Sequence, residues 1–368
     1  ALNIEPSNSE FLNNMGVVLN ELGRQTEAAK AYGKAISYQP NFSEAHYNLG
    51  IVLQESEEYE EAISSYKQAL FHEPDHVGAE VNIGYCLKEL GKLEMAEAAY
   101  LKALKLVPDY DKALVNLGDL FLQKGNPHEA VRICSKFLTE HPGNISVLAF
   151  LNIALSNTGD LDAVHNLCDF KRFLYSINHK EILGVANLSQ LNQALSDHIL
   201  GHPSLVKQPA SHATRFGWHS GELLVEPMGP VSQLKELILA AVKDYCLAVP
   251  MDLIHPWLIN RPEVFDLSIW GVAMERQGHQ ISHIHPSAWL SGVYYSKIPD
   301  AIHTDDLRKG GWIEFGRPSD DFNMITEPEI KLIKPEEGLM LLFPSYFYHR
   351  TIPFDYQDTR ISIAFDIF

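Results

Sequence analysis

The amino-acid sequence predicts an α+β multidomain protein, with an all-α superhelix in its N-terminal half and a β domain in its C-terminal half. Three observations predict it. The first half repeats itself every 34 residues, the repeat lapses near residue 166, and short β-type runs divided by Pro, Gly and Asp fill the chain from about residue 265. A length of 368 residues is enough for two or more cores. Hydrophobic and charged contents of 46% and 21% are those of an ordinary globular protein.

In the repeated half, Gly16, Gly50, Gly84 and Gly118 fall in register, as do Ala28, Ala62, Ala96 and Ala130. Tyr32, Tyr66 and Tyr100 form a ring column whose fourth place is Cys134, and Pro40, Pro74, Pro108 and Pro142 close the units. Small residues at fixed points let two helices approach, the ring fills the space between them, and the proline ends the second helix. Together these columns resemble the tetratricopeptide repeat. Four units span about 9–142. A fifth, about 145–168, is degraded, with Asn152 at the glycine place and Val164 at the alanine place, in the manner of a terminal unit. The opening "ALNIEPSN" is similar to "ALKLVPDY" at 103–110 and puts Pro6 one period before Pro40. The chain is therefore expected to begin inside the second helix of an upstream repeat.

A further column, Asn14, Asn48, Asn82 and Asn116, belongs to the first helix of each unit. A rank of carboxamides can donate and accept hydrogen bonds along an extended peptide without reading its side chains. The column resembles the asparagine ladder in the repeats of the nucleocytoplasmic O-GlcNAc transferase. That resemblance implies a protein or peptide substrate held in the repeat groove; the plainer reading is that the asparagines pack neighbouring repeats.

From about residue 166 to 204 the pattern stays helical without repeating, which predicts a junction between a repeat domain at 1–165 and a second domain at 205–368. "VSQLKELILAAVKDYCLAV" (231–249) is one amphipathic helix. "FDLSIWGVAM", "WLSGVYYSKI", "GGWIEFGRP", "GLMLLFP" and "RISIAFDIF" follow as short strands, so the domain is a closed or sandwiched β structure.

A formal net charge of −18 argues against nucleic acid or anionic membrane as a partner. No apolar run reaches the roughly 18 residues of a membrane span. Four widely spaced cysteines without a CxxC read as reduced thiols, so a cytoplasmic location is expected, or a nuclear one.

"HQISHIHPSAWLSGVYY" (279–295) sets three histidines ahead of a strand. Chance alone supplies about one His-x-His in a chain with 17 histidines. In an extended segment, however, His283 and His285 project to the same side. "LLFPSYFYHRTIPFDYQDTRISIAF" adds His349, and eleven residues beyond it Arg360, with Ser362 on the same face. This constellation resembles the Fe(II)/2-oxoglutarate-dependent oxygenases, in their prolyl-hydroxylase-like branch. "SGVYYSKIPD", "GGWIEFGRP" and "EEGLMLLFPSYFYH" are similar in order and wording to the strands of those enzymes, over about residues 265–368.

The resemblance implies a double-stranded β-helix (jelly-roll) and a hydroxylase using Fe(II), 2-oxoglutarate and O2. It implies His283 and His349 as metal ligands, with Arg360 and Tyr295 on the distal carboxylate of the keto acid and Ser362 and Ser291 as weaker helpers. The chemistry needs these types. The protein gives Fe(II) three ligands on one face and leaves the other sites open, and Arg meets a carboxylate with a planar fork.

The family's usual motif is His-x-Asp, and His285 stands in the place of the acid. Three readings compete: His285 itself ligates; Glu314, Asp306 or water supplies the ligand; or the site is degenerate. A three-histidine site is one unit more positive, and its occupancy follows proton loss near the unperturbed imidazole range, about pH 6. A structural zinc staple leaves Arg360 without a role. A cupin-type small-molecule oxygenase lacks its glutamate, since Ala288, Trp289 and Leu290 stand there. Hydroxylation of a protein or peptide side chain recruited by the repeats is the expectation; its rival from another class is a catalytically silent repeat scaffold.

Overall fold

The structure, a computed structural model, describes residues 7–180, 184–208, 212–303 and 308–368. It divides into two compact units, Ala1–Ile133 and Cys134–Phe368.

The first unit is built of antiparallel helix pairs: α1 (Ser9–Glu21) with α2 (Gln25–Tyr38), α3 (Ser43–Glu55) with α4 (Tyr59–His72), and α5 (Val77–Glu89) with α6 (Leu93–Leu106). Then come α7 (Asp111–Gln123) and α8 (Pro127–Glu140). A Cβ added to Gly16, Gly50 or Gly84 would stand 2.5 Å from the ring of Tyr32, Tyr66 or Tyr100. The glycine column therefore exists for the tyrosine column, and those three rings are buried with Ala28, Ala62 and Ala96. At the turn inside each pair the backbone goes left-handed, at Gly23, Gly91 and Gly125, but at Glu57 in the same column (φ 62°).

Three members of the asparagine column are engaged within the repeats. Asn48 donates to Asn13 Oδ1 (3.1 Å), Asn82 to the hydroxyls of Tyr66 (3.2 Å) and Tyr47 (3.4 Å), and Asn116 to the Lys112 carbonyl (2.8 Å). Asn14 is exposed on α1. Pro6 and its expected upstream helix lie outside the described residues.

The degraded fifth repeat is α9 (Ile145–Thr158) and the short α10 (Leu161–Leu167). It falls in the second unit, so the compact division comes earlier than the expected one at 165. Asn157 on α9 shows the attachment: its Oδ1 accepts from the backbone of Ile325 (2.7 Å) and its Nδ2 donates to the Asn323 carbonyl (3.2 Å).

The expected helical junction also holds a strand. After α11 (Phe170–Phe173) comes β1 (Tyr175–Asn178), which pairs with β8 (Leu339–Pro344), before α12 (Val185–Leu200). Four residues of "YSIN" carry no helical or strand period, and their partner lies more than 160 residues away.

The remaining strands are β2 (Val206–Lys207), β3 (Thr214–His219), β4 (Leu267–Gln280), β5 (Leu290–Lys297), β6 (Ile313–Phe315), β7 (Lys331–Ile333), β9 (His349–Thr351) and β10 (Arg360–Ile367). They form two antiparallel sheets, a seven-stranded one in the order β1-β8-β5-β10-β4-β3-β2 and a three-stranded one in the order β7-β6-β9. This is the expected jelly-roll. The amphipathic helix expected at 231–249 is α13 (Val231–Ala248). The α12 helix covers the outer face of the large sheet, where Tyr294 donates to Asn192 Oδ1 (2.6 Å) and Gly271 leaves room for Ile199. With Tyr294 held outward, Ser291, Val293 and Tyr295 take the opposite face of β5.

Candidate metal centre

Three pieces of chain converge on the inner face. His283 and His285 follow β4 on an extended segment, and His349 opens β9. Reciprocal backbone bonds of 3.1 Å between His283 and His349 clamp the two together, and the His285 amide donates to the Ser345 carbonyl (3.0 Å). The ring centroids stand 4.3–5.2 Å apart. One ring nitrogen of each lies within 4.8 Å of the other two.

The second nitrogen of each ring is already engaged. His283 Nδ1 donates to the Ile281 carbonyl (2.8 Å), His349 Nδ1 to the Phe347 carbonyl (3.0 Å), and His285 Nδ1 to the two oxygens of Asp366 (2.7 and 2.9 Å). That pattern leaves three Nε2 lone pairs, the donor set of a metal ion. Burial, and after it the neighbouring His285, lowers His283 to about 3, and burial holds His349 well below the usual imidazole range. These two rings are therefore neutral far below the pH of about 6 that isolated imidazoles suggest.

Beside the histidines runs a narrow pocket lined by Gln280, Tyr295, Arg360 and Ser362, with Val293, Ile313 and Phe343 as its apolar wall. Arg360 is only 1% exposed, and no acidic side chain pairs with it among the described residues. Its Nη1 donates to Ser362 Oγ (3.2 Å), and its guanidinium carbon sits 5.0 Å from the centre of the Tyr295 ring. Arg360 Nε and the Tyr295 hydroxyl are both buried without a hydrogen-bonding partner. Burial pushes the Tyr295 phenol up to about 12 while the adjacent cation pulls the other way, so it is a hydroxyl donor. A buried cation with an idle Nε–H beside a buried phenol is costly unless an anion completes the site. The residues present fit both a metal ion and a carboxylate ligand.

Residues 268–366 match the family model described as "Putative 2OG-Fe(II) oxygenase". Tetratricopeptide-repeat models match at 18–57 and 84–125, at 43–76 and at 112–144. The chain thus joins a tetratricopeptide-repeat region to a domain that matches the "Putative 2OG-Fe(II) oxygenase" family.

Among solved structures, part of the chain is similar to a crystal structure of MamA (22% identity, TM-score 0.35), over 44% of this chain and 85% of that one. It is also similar to YrrB, described as a TPR protein with an unusual peptide-binding site (18%, TM-score 0.38, 45% and 89%). A third is pilF of Pseudomonas aeruginosa (22%, TM-score 0.40, 52% and 84%). No curated protein matches the chain.

Within the oxygenase domain, the structure gathers His283, His285, His349, Tyr295, Arg360 and Ser362 around one pocket. Ser291 is elsewhere. Its hydroxyl donates to Asp366 Oδ1 (2.6 Å) and meets Ser345 Oγ (2.8 Å), so it serves the carboxylate behind His285 rather than the Arg360 end. Glu314 is excluded as the missing acid: it points away from its β6 neighbours Ile313 and Phe315 and is held by Arg317 (2.8 Å) and Arg350 (2.7 Å). Asp306 lies outside the described residues. The residue that sequence reading missed is Asp366. Its signal was the alternation Arg360, Ser362, Ala364, Asp366, which puts all four on the inner face of β10.

Proposed function

We propose that this fusion is an Fe(II)/2-oxoglutarate-dependent hydroxylase acting on a protein or peptide side chain recruited by its repeats. One observation carries the reading: the buried Arg360, with no acidic partner among the described residues, lines the same pocket as three facing imidazoles. The ring nitrogens of His283, His285 and His349 would hold the metal and leave its other positions to ligands. Bound Fe(II) supplies the O2 activation that couples decarboxylation of 2-oxoglutarate, giving succinate and CO2, to transfer of one oxygen atom into a substrate C–H bond.

The chain's own groups do the rest. Arg360 offers its fork to the distal carboxylate, and Ser362 and Tyr295 donate to the same group. Val293, Ile313 and Phe343 keep water from the inner end of the pocket. Asn14, Asn48, Asn82 and Asn116 hold the substrate backbone with the capacity their internal hydrogen bonds leave free, chiefly carbonyl oxygens that accept from peptide N–H groups. The free cysteines, with Cys86, Cys134 and Cys168 buried, suit a cytoplasmic setting. No described helix is long and apolar enough to cross a membrane.

The test is iron-dependent conversion of 2-oxoglutarate to succinate, followed by a search for oxygen-bearing products after incubation with a cell lysate. Absence of both overturns the reading and leaves a silent scaffold. Replacing the four ladder asparagines by Ala should slow product formation but spare turnover of the keto acid without substrate. If both rates fall together, or neither changes, the groove is not the recruiting surface.

A further inference from the structure

The Asp366 carboxylate is only 8% exposed, faces the inner side of the jelly-roll and receives two donors, His285 Nδ1–H and Ser291 Oγ–H. Neither contact is needed to fill a core: two apolar side chains of the same size would pack there without the cost of burying a charge. The pairing instead has a consequence for His285. An ionised carboxylate only accepts hydrogen bonds, so the imidazole proton is kept on Nδ1 and the lone pair on Nε2, the atom that faces His283 and His349. Ser345 fixes the arrangement twice, through its hydroxyl on Ser291 and its carbonyl on the His285 amide.

We infer that Asp366 is the carboxylate of this metal centre, placed one hydrogen bond behind His285 instead of on the metal. It is a positioning residue: it holds the ring of His285 and supplies the negative charge that three neutral imidazoles lack. A divalent ion with three imidazoles carries two positive charges, and Asp366 brings the sum back to one, the value an ordinary His-x-Asp site reaches directly. Carboxylates in this position raise the basicity of the ligating ring and fix its orientation. The same strand carries Arg360 six residues earlier, so β10 presents an anion toward the metal and a cation toward the keto acid, from Cα atoms roughly 20 Å apart along the strand.

The inference rests on the three-imidazole reading of the site, and the experiment separates the two. Co(II) alone serves as the probe, with binding followed by calorimetry and ligand geometry by its visible absorption. Asp366→Asn keeps the shape and removes the charge; it should weaken Co(II) binding about 10- to 100-fold and change the absorption bands. Asp366→Glu should recover part of the loss. Ser291→Ala, which leaves both partners of the His285–Asp366 pair in place, should weaken binding about 3- to 10-fold and covers the case in which Asp366→Asn does not fold.

In a His285→Ala background, where the ring it positions is gone, Asp366→Asn should cost less than it does with His285 in place. If His285→Ala leaves Co(II) affinity and spectrum unchanged, the three-imidazole reading itself fails. If His285→Ala abolishes binding while Asp366→Asn and Ser291→Ala leave it unchanged, only the role of Asp366 fails.

Discussion

The two units solve the same problem, fixing side chains in space, with opposite use of sequence. In the helical unit every packing relation is local and repeated: Gly84 and Tyr100, whose contact sets the angle of a helix pair, are sixteen residues apart and have counterparts in the units before them. In the oxygenase domain His283, His349 and Arg360 line one pocket from three pieces of chain, and Asp366 reaches back 81 residues to His285. Redundancy makes the first unit legible and tolerant, whereas convergence makes the second functional and exposed to single substitutions.

The sharpest test of that contrast is Arg360→Met. Burying an unpaired guanidinium costs stability, and a thioether of similar length packs without that cost. The variant should raise the melting temperature of the ligand-free oxygenase domain while weakening 2-oxoglutarate binding by roughly 30- to 1000-fold, the equivalent of about 2–4 kcal/mol. Calorimetry with the keto acid checks the loss, and tryptophan fluorescence checks the gain, because all five tryptophans lie beyond residue 133. Unchanged affinity would remove Arg360 from the site.

Next in size is a pH effect confined to the same domain. Burial lowers His283 to about 3 and His219 to about 4, and it also lowers His349, His179 and His255. Unfolded, these rings titrate near 6.5. Between the two limits the unfolded chain binds more protons than the folded one, so stability is present above about pH 6.5 and lost as pH falls toward 4. The fluorescence-detected urea midpoint of the metal-free protein should drop steadily over that window. A flat profile would mean these rings are not buried as neutral groups.

Legibility in the sequence follows the same division. The repeat columns could be read because each residue type recurs at a constant interval, and a misreading at one unit is corrected by the next. His283 and His285 were legible because they share a strand face, and His349 and Arg360 because their order along the chain resembles that of an oxygenase family. Asp366 was not legible as a partner of His285, since that depends on β10 lying against β5 with Asp366 opposite Ser291, a register no local pattern encodes. For the same reason the family resemblance puts Ser291 at the wrong end of the pocket, and the sequence pattern runs β1 into a helical junction.

A smaller effect tests the redundancy of the helical unit. Gly84→Ala drives a methyl group to 2.5 Å from the Tyr100 ring and should cost about 1–3 kcal/mol. Because a repeat contacts only its neighbours, the loss should be seen in the far-ultraviolet circular dichroism melt and not in tryptophan fluorescence or Co(II) affinity. A shift in all three would show that the units do not behave separately.

The smallest effect has the opposite sign and comes from the one described break in the column of turn glycines. At the turn inside each helix pair, Gly23, Gly91, Gly125 and Gly159 take φ between 71° and 77°, and Glu57 takes 62° in the same column. A side chain at that angle brings Cβ against the next carbonyl, at a cost of about 1–2 kcal/mol that glycine does not incur. Glycine loses more freedom on folding, which returns roughly 0.5–1 kcal/mol. Glu57→Gly should therefore stabilise the helical unit by up to about 1 kcal/mol, a rise of a few degrees in its dichroism melt. The exposed Glu57 also stands in the acidic run Glu55, Glu57, Glu58, Glu60 and Glu61, so Glu57→Gln separates charge relief from backbone relief. If Glu57→Gln gains as much as Glu57→Gly, the column is tuned by charge, and the left-handed turn is not where the broken pattern costs stability.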